Sequence, residues 1–425
     1  MSFSSFSFHP HIVKAIERCG FTTPTPIQQQ AIQPIIDRRD LLGLAQTGTG
    51  KTAAFMLPTI QHLLASSAPQ QVRVLILAPT RELAEQIHAF NSLVVEQTKL
   101  RSIAVYGGVS KNAQIARLRA GVDIVVACPG RLLDILNDRA IDLSRVETLI
   151  LDEADHMFDK GFLPDIRKIL AKLPEKRQSL VFSATMPQEI RHLAENILRN
   201  PVKVQINPTR PVKGIAHSVY GIDQAQKPEL LIHLLRQEEM MTTTLVFTRT
   251  KHKAKSLANR LEKEGFKATS LQGNLSQNRR QQALDGFKSG AYNILVATDI
   301  AARGIDVTGI SHVVNFDVPD TAEAYIHRTG RTGRASRSGE AYTFVTSEDT
   351  KILRDIERTL DGPMHRQAVI LPYSAPVRQE PAPRQGERQA VLSPAKKTTA
   401  SPGQKPRRSN SPGKGIFGLR SRSRN

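Results

Sequence analysis

Ala45-Gln46-Thr47-Gly48-Thr49-Gly50-Lys51-Thr52 sets a small-residue loop between an apolar run, Asp40–Leu44, and a segment of helix-start composition, Ala53–Leu57. Strand, loop and helix in that order suit a triphosphate. Backbone N–H groups of the loop and the positive end of the helix dipole converge on phosphate oxygens. Lys51 would reach the outer phosphates, and the Thr52 hydroxyl would sit on Mg2+. Ala45 stands where the usual pattern begins with Gly, so the match is slightly relaxed; a bare Gly/Thr-rich turn is the alternative. Further on, Thr148–Leu151 runs straight into Asp152-Glu153-Ala154-Asp155. Carboxylates at the end of a buried strand complete such a site, Asp152 holding Mg2+ through water and Glu153 orienting or polarising the attacking water. The alternative is a solvated acidic turn.

These residues need a frame, and the apolar rhythm supplies one. Residues 9–20 carry helical spacing that stops at Gly20, Pro24 and Pro26 force an extended or turn path, and residues 27–36 are helical again. Short apolar runs then alternate with helical segments: Leu41–Ala45, Val72–Ala78, Ser102–Tyr106, Val122–Ala127, Thr148–Leu151, Leu180–Ser183 and Val202–Ile206. Continuous apolar strands separated by helices predict a parallel sheet covered on both faces. The rhythm stops in a linker at about 207–214 and restarts with Ile215–Tyr220, Thr244–Phe247, Ala268–Leu271, Ile294–Ala297, His312–Asn315 and Ala341–Val345. The second set has no phosphate loop. Hence the division expected is 1–206, linker 207–214, 215–370, and a basic, disordered tail over 371–425, too poor in apolar residues to order itself.

A chain of 425 residues has room for two or three domains. Its net charge of +20 points to a polyanionic partner, nucleic acid first and anionic membrane second. Half of that charge lies in 371–425, which nets +10. Two cysteines, Cys19 and Cys128, are too few for a disulfide framework and fit a reducing compartment. With no secretory signal and no apolar run of membrane length, a cytoplasmic location is expected.

The chain resembles the DEAD-box family of ATP-dependent RNA helicases. Asp152–Asp155 and the phosphate loop match its signatures, and the remaining ones follow in the family's order. In the first half they are Gly20-Phe21 through Pro24-Thr25-Pro26-Ile27-Gln28, Pro79-Thr80-Arg81-Glu82-Leu83, Gly107-Gly108, Pro129-Gly130-Arg131 and Ser183-Ala184-Thr185. In the second they are Val246–Thr250, Gln277–Arg280, Ala297-Thr298-Asp299 with Ala301–Asp306, and His327-Arg328-Thr329-Gly330-Arg331-Thr332-Gly333-Arg334. The likeness covers residues 3 to about 365 and is greatest to the bacterial RhlE-type subgroup.

The resemblance implies two tandem RecA-like domains, ATP and Mg2+ as cofactors, and RNA as the partner. Gln28 would read the adenine edge, an amide presenting donor and acceptor side by side. Phe21 would stack on the base, and Asp306 would hold the ribose. Ala45, Gln46, Thr47, Gly48, Thr49 and Gly50 would cradle the phosphates with Lys51 and Thr52. Arg331 and Arg334 would reach across as arginine fingers, with His327 on the acidic cluster. Ser183 and Thr185 would bond its carboxylates, Asp155 among them, and so couple the ATP site to domain closure. Pro79, Thr80, Arg81, Gly107, Gly108, Gly130 and Arg131 would face RNA from one side. Thr248, Arg249, Gly273, Gln277, Arg280 and Thr298 would face it from the other, touching sugar and phosphate rather than base edges. The alternative for the three arginines is a basic loop for RNA phosphates, a reading that suits Arg328 better than Arg331 or Arg334. Ribosome-assembly or RNA-decay complexes are candidate partners, and no membrane is expected. Two other activities stay open: an ATP-gated RNA clamp or annealer, and a DNA-directed helicase. One position departs from the family, which usually has Thr before Pro-Gly-Arg. Cys128 stands there, and a thiol is the weaker hydrogen-bond donor.

Overall fold

Buried, β-branched strands and amphipathic crossovers fold into two open parallel sheets of seven strands each. The computed structural model describes residues 2–46, 48–66, 71–206, 214–237, 242–299, 309–333 and 338–369. The tail, nearly all of the linker, and Thr47, Asp306 and Arg334 therefore lie outside the described residues.

The first sheet is built from β1 (Leu41–Leu44), β2 (Val74–Leu77), β3 (Ser102–Val105), β4 (Ile124–Ala127), β5 (Thr148–Leu151), β6 (Gln178–Ser183) and β7 (Val202–Gln205). Their order across the sheet is β3-β4-β2-β5-β6-β1-β7. Successive side chains on a strand point to opposite faces, and the core divides accordingly. Ile76, Val126, Ile150 and Phe182 pack on one face, while Leu75, Val125, Leu149 and Val181 pack on the other. Burial on both faces is why these strands read as unbroken apolar runs.

The second sheet holds β8 (Ile215–Gly221), β9 (Thr244–Phe247), β10 (Ala268–Leu271), β11 (Ile294–Ala297), β12 (His312–Asn315), β13 (Gly339–Val345) and β14 (His365–Gln367), in the order β10-β11-β9-β12-β13-β8-β14. The chain thus has tandem RecA-like sheets, as the motif order implies. Six apolar runs predict six strands here, and the seventh, β14, reads His-Arg-Gln. It pairs with β8 at the sheet margin, where no apolar face is required. Both sheets fall within one compact unit.

This topology decides where chemistry can gather. In open parallel sheets the carboxyl ends of the strands form the binding crest. On the first sheet, β5, β6 and β1 are consecutive neighbours, so the loops after Leu151, Ser183 and Leu44 meet. The loops after β2, β4 and β3 occupy the other half of the same crest.

Candidate active site and nucleic-acid interface

The phosphate loop is shaped by its glycines. Gly48 and Gly50 have φ of +87° and +91°, a region that L side chains seldom adopt. Gly50 also has the Gln28 amide nitrogen 2.6 Å from where a Cβ would stand. Gln28 is buried and spans two segments: its Oε1 accepts from the Thr25 N–H (2.9 Å), and its Nε2 donates to the Gly50 carbonyl (3.1 Å). Each end of the amide keeps a second hydrogen-bonding capacity. Phe21 is stacked on Phe3, ring centroids 6.3 Å apart. The loop runs into the helix Lys51–Ala65, whose first turn holds Lys51 and Thr52. Lys51 is buried; its ammonium donates to the Ala45 carbonyl (3.1 Å) and lies 3.9 Å from Asp152. Thr49 Oγ1 donates to the Gln46 carbonyl at 2.7 Å.

Asp152 and Glu153 are both nearly sealed from solvent, yet their carboxyls part company. Burial pushes Asp152 up to about 6, the nearby Lys51 charge offsetting part of it. Burial also opposes ionisation of Glu153, but the His156 hydrogen bond and the Lys51, His156 and Arg331 charges outweigh it and hold that carboxyl below the usual range. A desolvated Asp152 beside a buried ammonium gains from a cation. The described residues contain no cluster of three metal-ligating side chains. Mg2+ is usually bound by one or two carboxylates with phosphates and waters, and Asp152 with the Thr52 hydroxyl fits that donor set.

Asp155 ties the acidic turn to the end of β6. Its Oδ2 accepts from the N–H groups of Ala184 (3.2 Å) and Thr185 (2.9 Å) and from the Thr185 hydroxyl (3.0 Å). Ser183 differs from expectation: its hydroxyl accepts from the Asp155 N–H (3.1 Å) and so meets backbone.

The second sheet closes over this cluster. Glu153, Asp155, His156 and Thr185 line a cavity of about 370 Å³ together with Thr321, His327 and Arg331. Arg331 is 5% exposed and close enough for its charge to act on Glu153. Arg328 turns away from this cavity. It is buried, pairs two-pronged with Asp299 (2.6 and 2.7 Å), donates to the Asp317 carbonyl (2.7 Å) and lies over the Phe247 ring. That geometry excludes the phosphate-contact reading of Arg328.

A second cavity, about 320 Å³, lies over the other half of the crest. Pro79, Thr80, Arg81, Gly107, Cys128, Gly130 and Arg131 line it from the first half, Gly273 and Arg280 from the second. Gly108 has φ +89°, and the Arg81 guanidinium occupies the place a Cβ would take. Across the gap, Arg280 is committed to Glu82 (Nε to Oε1 2.7 Å, both residues buried), and Gln277 Oε1 accepts from Arg81 (3.3 Å). These two residues join the halves as well as edging the cavity. Arg131 is shared with Asp134 and the Val109 carbonyl. Thr248 is wholly buried, its hydroxyl 3.4 Å from the Thr250 carbonyl, and does not line the cavity. Arg249 lies toward Asp320 (3.5 Å), and Thr298 is half-buried after β11. Lys160, Phe162 and Leu275 also line the cavity, at positions that no signature marks. They follow helices or turns and carry no motif of their own.

Fold and cavities together define a tandem RecA-like protein with two cavities that are each lined from both halves. A DEAD/DEAH box helicase model matches residues 25–193, and a helicase conserved C-terminal domain model matches residues 226–336. The DEAD-box ATP-dependent RNA helicase CshA of Bacillus subtilis is 40% identical over 86% of this chain and 74% of its own length. The ATP-dependent RNA helicase DeaD of Buchnera aphidicola is 40% identical over 85% of this chain, which spans 60% of that relative. Among solved structures, Saccharomyces cerevisiae Dbp5 bound to RNA and ADP BeF3 is 31% identical, with a TM-score of 0.78 over 86% of this chain and 95% of its own. The chain belongs to the DEAD-box family of ATP-dependent RNA helicases. Among the described residues no helix is long and apolar enough to cross a membrane.

Proposed function

We propose that the chain hydrolyses ATP in response to RNA and uses the cycle for local, non-processive separation of RNA duplexes or remodelling of RNA–protein complexes. The observation that carries this reading is the cavity in which Arg331 and His327 of the second half meet Glu153 of the first. Residues 1–206 and 215–370 act as the two halves. Phe21 and Gln28 select adenine, the loop from Ala45 to Thr52 holds the phosphates, and Asp306 takes the ribose. Thr52, and Asp152 through water, would hold Mg2+, which would neutralise charge on the outer phosphates.

In the hydrolytic step a water oxygen bonds to the γ-phosphorus, and the bond to the β–γ bridging oxygen breaks, its electron pair leaving with ADP. Glu153, held ionised, accepts a hydrogen bond from the attacking water and orients it, and the water proton leaves with the inorganic phosphate. Arg331 and Arg334 spread the developing phosphoryl charge, an arrangement typically worth ~10³–10⁵ in rate. Asp155, Ser183 and Thr185 transmit the state of this site to the interface between the halves.

The second cavity suits an RNA backbone, because Gly N–H groups, the Thr80 hydroxyl and Arg guanidinium contact sugar and phosphate without reading bases. ATP and single-stranded RNA favour the closed form, a population shift, and a duplex gripped there loses local pairs. The RNA- and nucleotide-bound state of the yeast relative supports this reading.

Glu153→Gln tests it: ATP and RNA still bind while turnover collapses, and near-normal turnover rules the assignment out. Unwinding of a short duplex with ATP but not with a non-hydrolysable analogue separates a helicase from a clamp. Stronger ATPase stimulation by DNA than by RNA would replace the RNA reading.

A further inference from the structure

Glu153 occupies an unusual backbone position, with φ 52° and ψ 55° immediately before the helix Ala154–Asp159. Left-handed non-glycine residues are uncommon, and this one brings its carboxylate into the cavity shared by the two halves. A glutamate has three rotatable side-chain bonds, so backbone placement alone does not aim its oxygens. One helical turn on, His156 supplies a constraint: its Nδ1 lies 3.3 Å from Glu153 Oε2, and both residues are buried. The contact partner is an acceptor, so the hydrogen resides on Nδ1. The main chain at His156 is tied in turn, its backbone N–H donating to Asp155 Oδ1 at 3.0 Å. The chain of contacts runs from Thr185 through Asp155 and His156 to Glu153, which links the end of β6 to the orientation of one carboxylate.

We propose that His156 is a positioning residue for hydrolysis: its Nδ1–H holds Oε2 of Glu153 and so sets the direction in which the carboxylate meets the attacking water. This rests on the reading of Glu153 given above. The role needs a donor at the Nδ1 position specifically. Asparagine places its amide nitrogen near there, glutamine reaches about as far as Nε2, and leucine fills volume with no donor. These three side chains therefore separate aim from packing.

The test uses the full chain with saturating RNA. kcat and KM for ATP are measured for His156→Asn, His156→Gln and His156→Leu, alongside binding of a fluorescent ATP analogue and melting temperature. The Gln and Leu variants lose roughly tenfold or more in kcat, while Asn stays within about threefold of the parent and nucleotide affinity changes less than about twofold. If all three keep the parental kcat, or if Asn falls as far as Leu, the proposal is wrong. It is also wrong if the losses follow melting temperature or nucleotide affinity. Should the Leu variant not fold, the Asn–Gln comparison decides. Glu153→Gln is run in parallel: its retained turnover would overturn the Glu153 reading, whereas an inactive Glu153→Gln beside fully active His156 variants overturns only the role of His156.

Discussion

Cys128 shows how one side chain can carry two consequences. It occupies the N-cap of the helix Pro129–Asn137 with no side-chain bond to the first turn, and it lines the second cavity. Burial, the largest influence, and the charge of Glu82 push its thiol up to about 12. A raised thiol value means the neutral form is favoured by folding, so this contribution is intact below the ordinary thiol range and lost between about 9 and about 12. At pH 8 the thiolate, the form that reacts, is therefore scarce at Cys128. Iodoacetamide at pH 8 should modify the half-exposed Cys19 well before Cys128, and equal rates, read by peptide mass mapping, would contradict the burial argument. Replacing Cys128 by Thr restores a capping hydroxyl, which should add roughly 1 kcal/mol to stability in urea titration and tighten RNA binding. No change in either would remove the case for this position. Arg328 makes the opposite point: a motif arginine serves the fold. Arg328→Ala removes the donor to Asn315 Oδ1 and the Asp317 carbonyl as well as the partner of Asp299, and should destabilise by about 2–3 kcal/mol in chemical denaturation, more than a surface arginine would.

At the scale of elements, the strands and the phosphate loop were legible because their causes are local. Val74–Leu77 and Ile124–Ala127 are apolar throughout, and Thr148–Leu151 is apolar after its first residue, because both faces of the sheet are covered, and Gly48 and Gly50 mark backbone that other residues avoid. What escaped the sequence depends on partners far along the chain. β14 is a polar margin strand known only by its pairing with β8. Gln277 and Arg280 resemble contacts for RNA, yet their nearest partners are Arg81 and Glu82, about 200 residues away. The His156–Glu153 contact has helical spacing but no motif to announce it. The interdomain pair gives a testable consequence. Glu82→Ala and Arg280→Ala should each raise the RNA concentration needed for half-maximal ATPase by roughly tenfold, and the double variant should lose no more than the worse single one. Additive losses would mean that the two side chains act separately.

For the whole molecule, charge and closure divide the work. Removing residues 371–425 lowers the net charge from +20 to +10. RNA affinity at low salt should then fall and its salt dependence should flatten, while kcat at saturating RNA stays the same. A fall in kcat would give the tail a part in catalysis. In the proposed cycle one half of the molecule holds the nucleotide and the other completes the site, with Arg331 close enough to act on Glu153. Single-turnover ATP hydrolysis by Arg331→Ala, at saturating ATP and RNA, tests it most directly. Hydrolysis at least ~10²-fold slower with nucleotide binding retained is the predicted result; hydrolysis within a few fold of the parent would contradict the shared site.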